Sequence, residues 1–238
     1  MKVIEQAGQA REQRTTAKAS GASIRPWLVP MALIALSLVP VGAGVARVSQ
    51  LARGAAANVD NARFVASPLP VVLHVIGTTL FCLLGALQFV PTLRQQRWHR
   101  VAGRVVLPAG LVAALSGLWM TLFYPLPTEE DHPLLKAFRL VLGVGMVLAL
   151  VLGFLAILRR DFGAHRVWMV RSYAIGIGAG TQALIMVPWW LLFGKATGIT
   201  YALLLGAGWA LNLVVAERRL EAHPGWRIWK FRSPPRMT

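Results

Sequence analysis

Cysteine is almost missing from this chain. Cys82 is the only one in 238 residues, which excludes an intramolecular disulfide, a multi-thiolate zinc site and a Cys-ligated iron–sulfur cluster. Acidic side chains are scarce, nine Asp and Glu against 25 Lys and Arg. No stretch alternates polar and apolar residues as a half-buried strand would. No Ser-His-Asp or metal-protease spacing marks a hydrolase. With 56% hydrophobic residues, the chain has no room for a sizeable soluble domain.

What it has instead is six long apolar runs: Trp27 to Val48, Pro70 to Leu93, Val101 to Leu126, Leu134 to Leu158, Val167 to Phe193 and Thr200 to Ala216. A helix crosses a hydrocarbon core with about 20 apolar residues, each advancing it about 1.5 Å. Lipid leaves the backbone of an open sheet unsatisfied. The expected fold is therefore all-α, a polytopic membrane bundle of about six helices. The first run exceeds a signal-peptide core of about 7 to 15 residues and follows a long polar leader, so it reads as a true span. Its Pro30 and Pro40 each remove a backbone donor and predict local bending.

Charge orients the bundle, because cytoplasmic loops retain Lys and Arg. With the N-terminus inside, 19 of the 25 basic residues fall on one face, among them Arg97, Arg104, Arg159, Arg166, Arg171 and Arg218. The other face holds Arg47, Arg53, Arg63, Lys136, Arg139 and Lys195, together with the acidic run Glu129, Glu130, Asp131. Both termini are expected in the cytoplasm. Residues 1–26 form a polar N-terminal tail, 27–217 the transmembrane domain, and 218–238 a basic tail. In that last segment Trp226, Trp229 and Phe231 interleave with Arg227, Lys230 and Arg232. Such a mixture suits a bilayer with anionic headgroups. The net charge of +16 flanks helix ends instead of gathering in a recognition domain, which argues against a nucleic-acid partner.

Glycines and buried polar residues are read by the same physics. Gly176 and Gly180 stand four apart in the fifth run, the spacing that lets helix backbones approach in lipid. Gly176, Gly178 and Gly180 do not follow a strand, so a nucleotide-binding loop is excluded. Cys82 lies mid-way along the second run, as a small packing residue. Gln88, Gln182, Asn212 and Glu217 lie within or beside the runs. An ionisable group at such depth faces the bundle interior and finds a partner. For Glu217 the expected partner is Arg104, Arg166 or Arg171, whose helices begin at the same side.

Five histidines are present, His74, His99, His132, His165 and His223. His99 and His165 begin the third and fifth runs at the cytoplasmic face, while His74 and His132 belong to the other face. Imidazoles ligate haem iron and nearby Arg neutralises propionates. The cofactor-binding candidates are therefore His99, His165, Arg104, Arg171 and His74, with His99 and His165 as iron ligands of a haem b. Trp98 and Trp168 would help to close that pocket. His132, beside three acids and about 9 to 12 Å from the level of His74, is assigned to a loop. His74 and His99 cannot share an iron, since about 25 helical residues span roughly 37 Å. The alternative is that these histidines are interfacial, bonding headgroups or carbonyls. In layout the pairing of helices resembles the cytochrome b561 proteins.

The segments His74-Val-Ile-Gly-Thr-Thr, Gly85-Ala-Leu-Gln-Phe, Trp98-His99-Arg100-Val-Ala-Gly-Arg104, Ala164-His165-Arg166-Val-Trp-Met-Val-Arg171-Ser-Tyr-Ala and Asn212-Leu-Val-Val-Ala-Glu217 resemble a bacterial family of predicted membrane proteins, domain of unknown function 2306. The resemblance implies a multi-pass protein of the bacterial inner membrane, with polar marks at His74, Gln88, His99, Arg104, His165, Arg171 and Glu217. It implies no activity. The fifth run departs from the pattern, with Gln182 and Ala183 where an Arg is common. Two functions stay open. One is electron transfer through haem b, to or from a quinone or soluble redox partner. The other is a non-enzymatic role as a small-solute permease or assembly partner.

Overall fold

The computed structural model describes residues 25–59, 61–94, 96–125 and 132–222; both tails, including the aromatic residues of 223–238, lie outside them. The described residues are helical, with no strand among them. In chain order they form α1 (Arg25–Ala52), α2 (Ala62–Ala66), α3 (Pro68–Leu87), α4 (Pro91–Arg94), α5 (Arg97–Phe123), α6 (Pro133–Leu158), α7 (Phe162–Gly176), α8 (Gly178–Phe193) and α9 (Gly198–Glu221). Six spans are long and apolar enough to cross a membrane, α7 and α8 together making the fifth.

Local chemistry sets the ends. Pro68 starts α3 at a position where a missing N–H costs nothing, and Pro91 forbids its continuation. The second run therefore yields a helix that stops at Leu87, and Gln88 is its C-cap instead of a residue at depth. Pro133 likewise opens α6, where His132 Nδ1 accepts from the Leu134 N–H at 3.2 Å. His132 is thus a helix cap. Between α6 and α7, Arg160 takes φ 58° and the Asp161 N–H donates to Ala156 O at 2.9 Å. This closes the helix end in a Schellman turn. Asp161 then caps α7 by accepting from Ala164 N at 2.9 Å. Such a tight connection makes α6 and α7 an antiparallel pair.

Two expected starts move earlier. α5 begins at Arg97 and α7 at Phe162, which puts His99 and His165 inside their first turns. The sixth span runs on to Glu221. The fifth is broken at Ile177, between two glycines.

The spans pack around a core of Phe81, Cys82, Ala86, Val106, Ala109, Ala114, Met146, Leu150, Tyr173 and Ile177. α3 lies on α5, α5 on α6, α6 on α7, and α9 against α6, α7 and α8; α1 rests on α3 and α8. Small residues set these distances. A Cβ on Gly77 would stand 2.8 Å from Ala109 O, and one on Gly180 would collide with Leu36 O of α1. Gly176 meets Phe81 in the same way, 2.6 Å from its ring. The glycines of the fifth run are thus packing residues, each against a different helix. Buried Tyr173 donates to Cys82 O at 2.8 Å, joining the broken span to α3.

Candidate functional site

His74 stands about 9 Å along α3 from Pro68. Its Nδ1 lies 2.8 Å from Ala113 O and 3.3 Å from Ser116 Oγ, both on α5. A carbonyl only accepts, so Nδ1 carries the proton. Ser116 Oγ donates in turn to Val112 O at 2.6 Å. Gly117 leaves room for the ring, since a Cβ there would be 3.2 Å from His74 Cε1. In the neutral ring Nε2 is then an acceptor. It has no protein partner among the described residues.

This imidazole forms part of the wall of a cavity of about 470 Å³, within the usual range of small-molecule sites of about 300–1,000 Å³. Every span contributes, including Ser37 of α1, His74 of α3, Thr121 of α5, Arg139 of α6, Gln182 of α8 and Trp209 of α9. Arg63 and Tyr124 also line it, at the end of the bundle where α3 begins. Inward it reaches Cys82 and Gly176, about 21 Å along α3 from Pro68. Tyr124 follows the last residue of α5. Burial raises its phenol pKa, against a backbone hydrogen bond at Val71 and the charge of Arg63. The phenol stays protonated at neutral pH and donates to Ser67 O.

Polar pairs fix the helices behind the cavity. Thr181 Oγ1 donates to Asn212 Oδ1 at 2.7 Å, and Asn212 Nδ2 to Ala174 O at 3.2 Å. Gln182 Nε2 donates to Leu205 O at 3.0 Å. These bonds satisfy side chains that lipid would not.

The opposite end carries the other predicted residues. Glu217 pairs with Arg171, the Nε–Oε1 distance being 2.7 Å and the Nη2–Oε2 distance 3.1 Å. Of the three expected partners it is Arg171 that engages. The same guanidinium lies 5.0 Å from the Trp168 ring centroid. His165 Nδ1 donates to Gly153 O at 2.9 Å, which ties α7 to α6. His99 is half-buried and Arg104 exposed. None of His99, His165, Arg104 and Arg171 lines the cavity. The sequence candidates are therefore split, His74 at one end and the remaining four towards the other. No group of three or more His, Cys, Asp or Glu with metal-site spacing occurs among the described residues.

The pattern of a family described as "Predicted membrane protein (DUF2306)" matches residues 71–219, from the first turn of α3 almost to the end of α9. The chain belongs to this family. No curated protein and no solved structure matches the chain. Within DUF2306, His74, the Arg171–Glu217 pair and the helices of the cavity other than α1 and α2 lie inside the matched region. Thr78, Thr121 and Tyr124 escaped sequence reading because hydroxyls in apolar helices ordinarily bond their own backbone. One signal was present: Thr78 follows His74 by four residues and so shares its face.

Proposed function

We propose that this DUF2306 protein is a small-solute permease of the bacterial inner membrane, with both termini in the cytoplasm and its cavity opening to the outside. The cavity carries this reading. It is deep, mostly apolar and edged by a few polar groups, the usual make-up of a small-molecule site. The broken fifth span supports it as well, because Ile177, at φ −81° and ψ 1°, sits on the cavity wall between α7 and α8. Membrane carriers bind substrate beside interrupted helices and move about them.

Thiol accessibility tests this. In a Cys82→Ala background, Met120→Cys on the cavity wall should react with a membrane-impermeant maleimide added outside intact cells. Leu115→Cys, on the exposed apolar face of α5, should resist it. Silence at Met120→Cys with the protein folded in the membrane would remove the water-filled cavity and the permease reading with it.

A second reading is supported by one observation. His165 gives its Nδ1 proton to Gly153 O, the arrangement that orients an imidazole for metal ligation through Nε2. With His99 it would hold a haem b at the basic end, for exchange of electrons with a quinone or soluble partner. Arg171 is already engaged by Glu217, which leaves Arg104 as the available cation for the propionates.

A further inference from the structure

The hydrogen-bond pattern around His74 specifies what the cavity takes. Thr78 Oγ1 donates to His74 O at 2.7 Å, Thr121 Oγ1 to Gly117 O at 2.8 Å and Tyr124 to Ser67 O; deeper, beside Cys82, Ser37 Oγ donates to Leu33 O at 2.9 Å. Each of these hydroxyls gives its proton to backbone and keeps only lone pairs for a ligand. Thr79, also on the wall, is the hydroxyl that forms no such bond among the described residues. His74 gives its Nδ1 proton to α5, so its free Nε2 is a further acceptor and the strongest of the group. Around His74 acceptors therefore outnumber donors, Thr79 keeping the one hydroxyl proton, and a ligand that donates fits there.

The charge of that donor follows from the surroundings. Arg63 and Arg139 border the same cavity, so an ammonium group would meet like charge. An anion would find acceptors at the His74 level. A neutral hydroxyl meets neither penalty. The remaining surface is apolar and partly aromatic, with Phe64, Phe81, Leu118 and Met146, which suits a ring or a branched hydrocarbon.

We propose that the cavity binds a neutral, largely apolar alcohol or phenol, a hydroquinone headgroup being one form, whose O–H donates to His74 Nε2. The proposal rests on the cavity being a ligand site and adds the chemistry of its ligand.

Equilibrium binding to the full chain in lipid nanodiscs tests it, with a trialkylphenol and its methyl ether as probes and protein-free nanodiscs to subtract partition into lipid. The phenol should bind about tenfold more tightly than the ether, the effect of one hydrogen bond in a dry site. His74→Asn retains an amide N–H for Ala113 O but has no counterpart of Nε2. It should bind both probes at the level of the ether. Equal binding of phenol and ether to the unaltered protein would overturn the donor assignment while leaving the cavity as a site. A preference that survives in His74→Asn would also overturn it. Binding of neither probe would remove both the assignment and the ligand-site reading. The comparison on the unaltered protein stands even where the variant fails to fold.

Discussion

Arg171 and Glu217 meet at two points, 2.7 Å and 3.1 Å, across α7 and α9. The pair lies about 14 Å along α7 from Phe162, where an unpaired charge in lipid is costly. Both side chains keep partial exposure, 29% and 36%, which moderates the cost of losing one. Glu217→Ala should lower the stability of the protein by about 2 kcal/mol. Arg171→Met with Glu217→Leu should recover most of that loss, because replacing both charges removes the desolvation penalty. Thermal unfolding of the two variants in the same detergent reads the difference, and a double variant no better than the single one contradicts the pairing energy.

The orientation is tested by reporters. Fusions after Arg97 and after Arg159 should report the cytoplasm, and one after Asp131 the exterior, since 19 of 25 basic residues share the first side. A reversed readout at any of the three would contradict the assigned sides.

Glycines separate into two groups by what surrounds them. Gly180→Ala drives a methyl into the Leu36 backbone, and Gly77→Ala drives one into Ala109 O. Each should destabilise by about 1–3 kcal/mol as helices move apart. Gly42 and Gly103 face open space, and Ala there should be neutral or stabilising by up to about 1 kcal/mol. Unfolding midpoints of the four variants should rank in that order.

The basic-end histidines have a spectroscopic test. If His99 and His165 hold a haem b, protein purified from iron-replete cells shows a reduced b-type spectrum, which Ala at either position abolishes. His132→Ala leaves it intact, because His132 caps α6. Absence of a Soret band in the unaltered protein removes the haem and leaves His165 as a helix tie to Gly153.

The spans and their count were legible because apolar length is a coarse signal that survives errors of a few residues. Their ends were less so. Gln88 falls at a helix end because of Pro91, three residues further on, and the break at Ile177 depends on three neighbours packing against Gly176, Gly178 and Gly180. The ion pair of Glu217 was legible to within three arginines, since topology gives the level of a side chain but not its azimuth. The cavity was not legible at all. It is assembled from residues of all six spans, and its polarity depends on which hydroxyl protons the backbone takes, which no linear pattern states.

The family pattern begins at residue 71, so it omits α1, yet Ser37, Pro40, Val41 and Gly44 of that helix close one side of the cavity. The remaining walls, and the bond from His74 to α5, are made without it. Family members that differ before α3 would keep the same inner chemistry behind a different side panel, or behind lipid alone. Which molecules can slip in from the bilayer would then be decided by the part of the chain before α3, while what they meet beside His74 would stay the same.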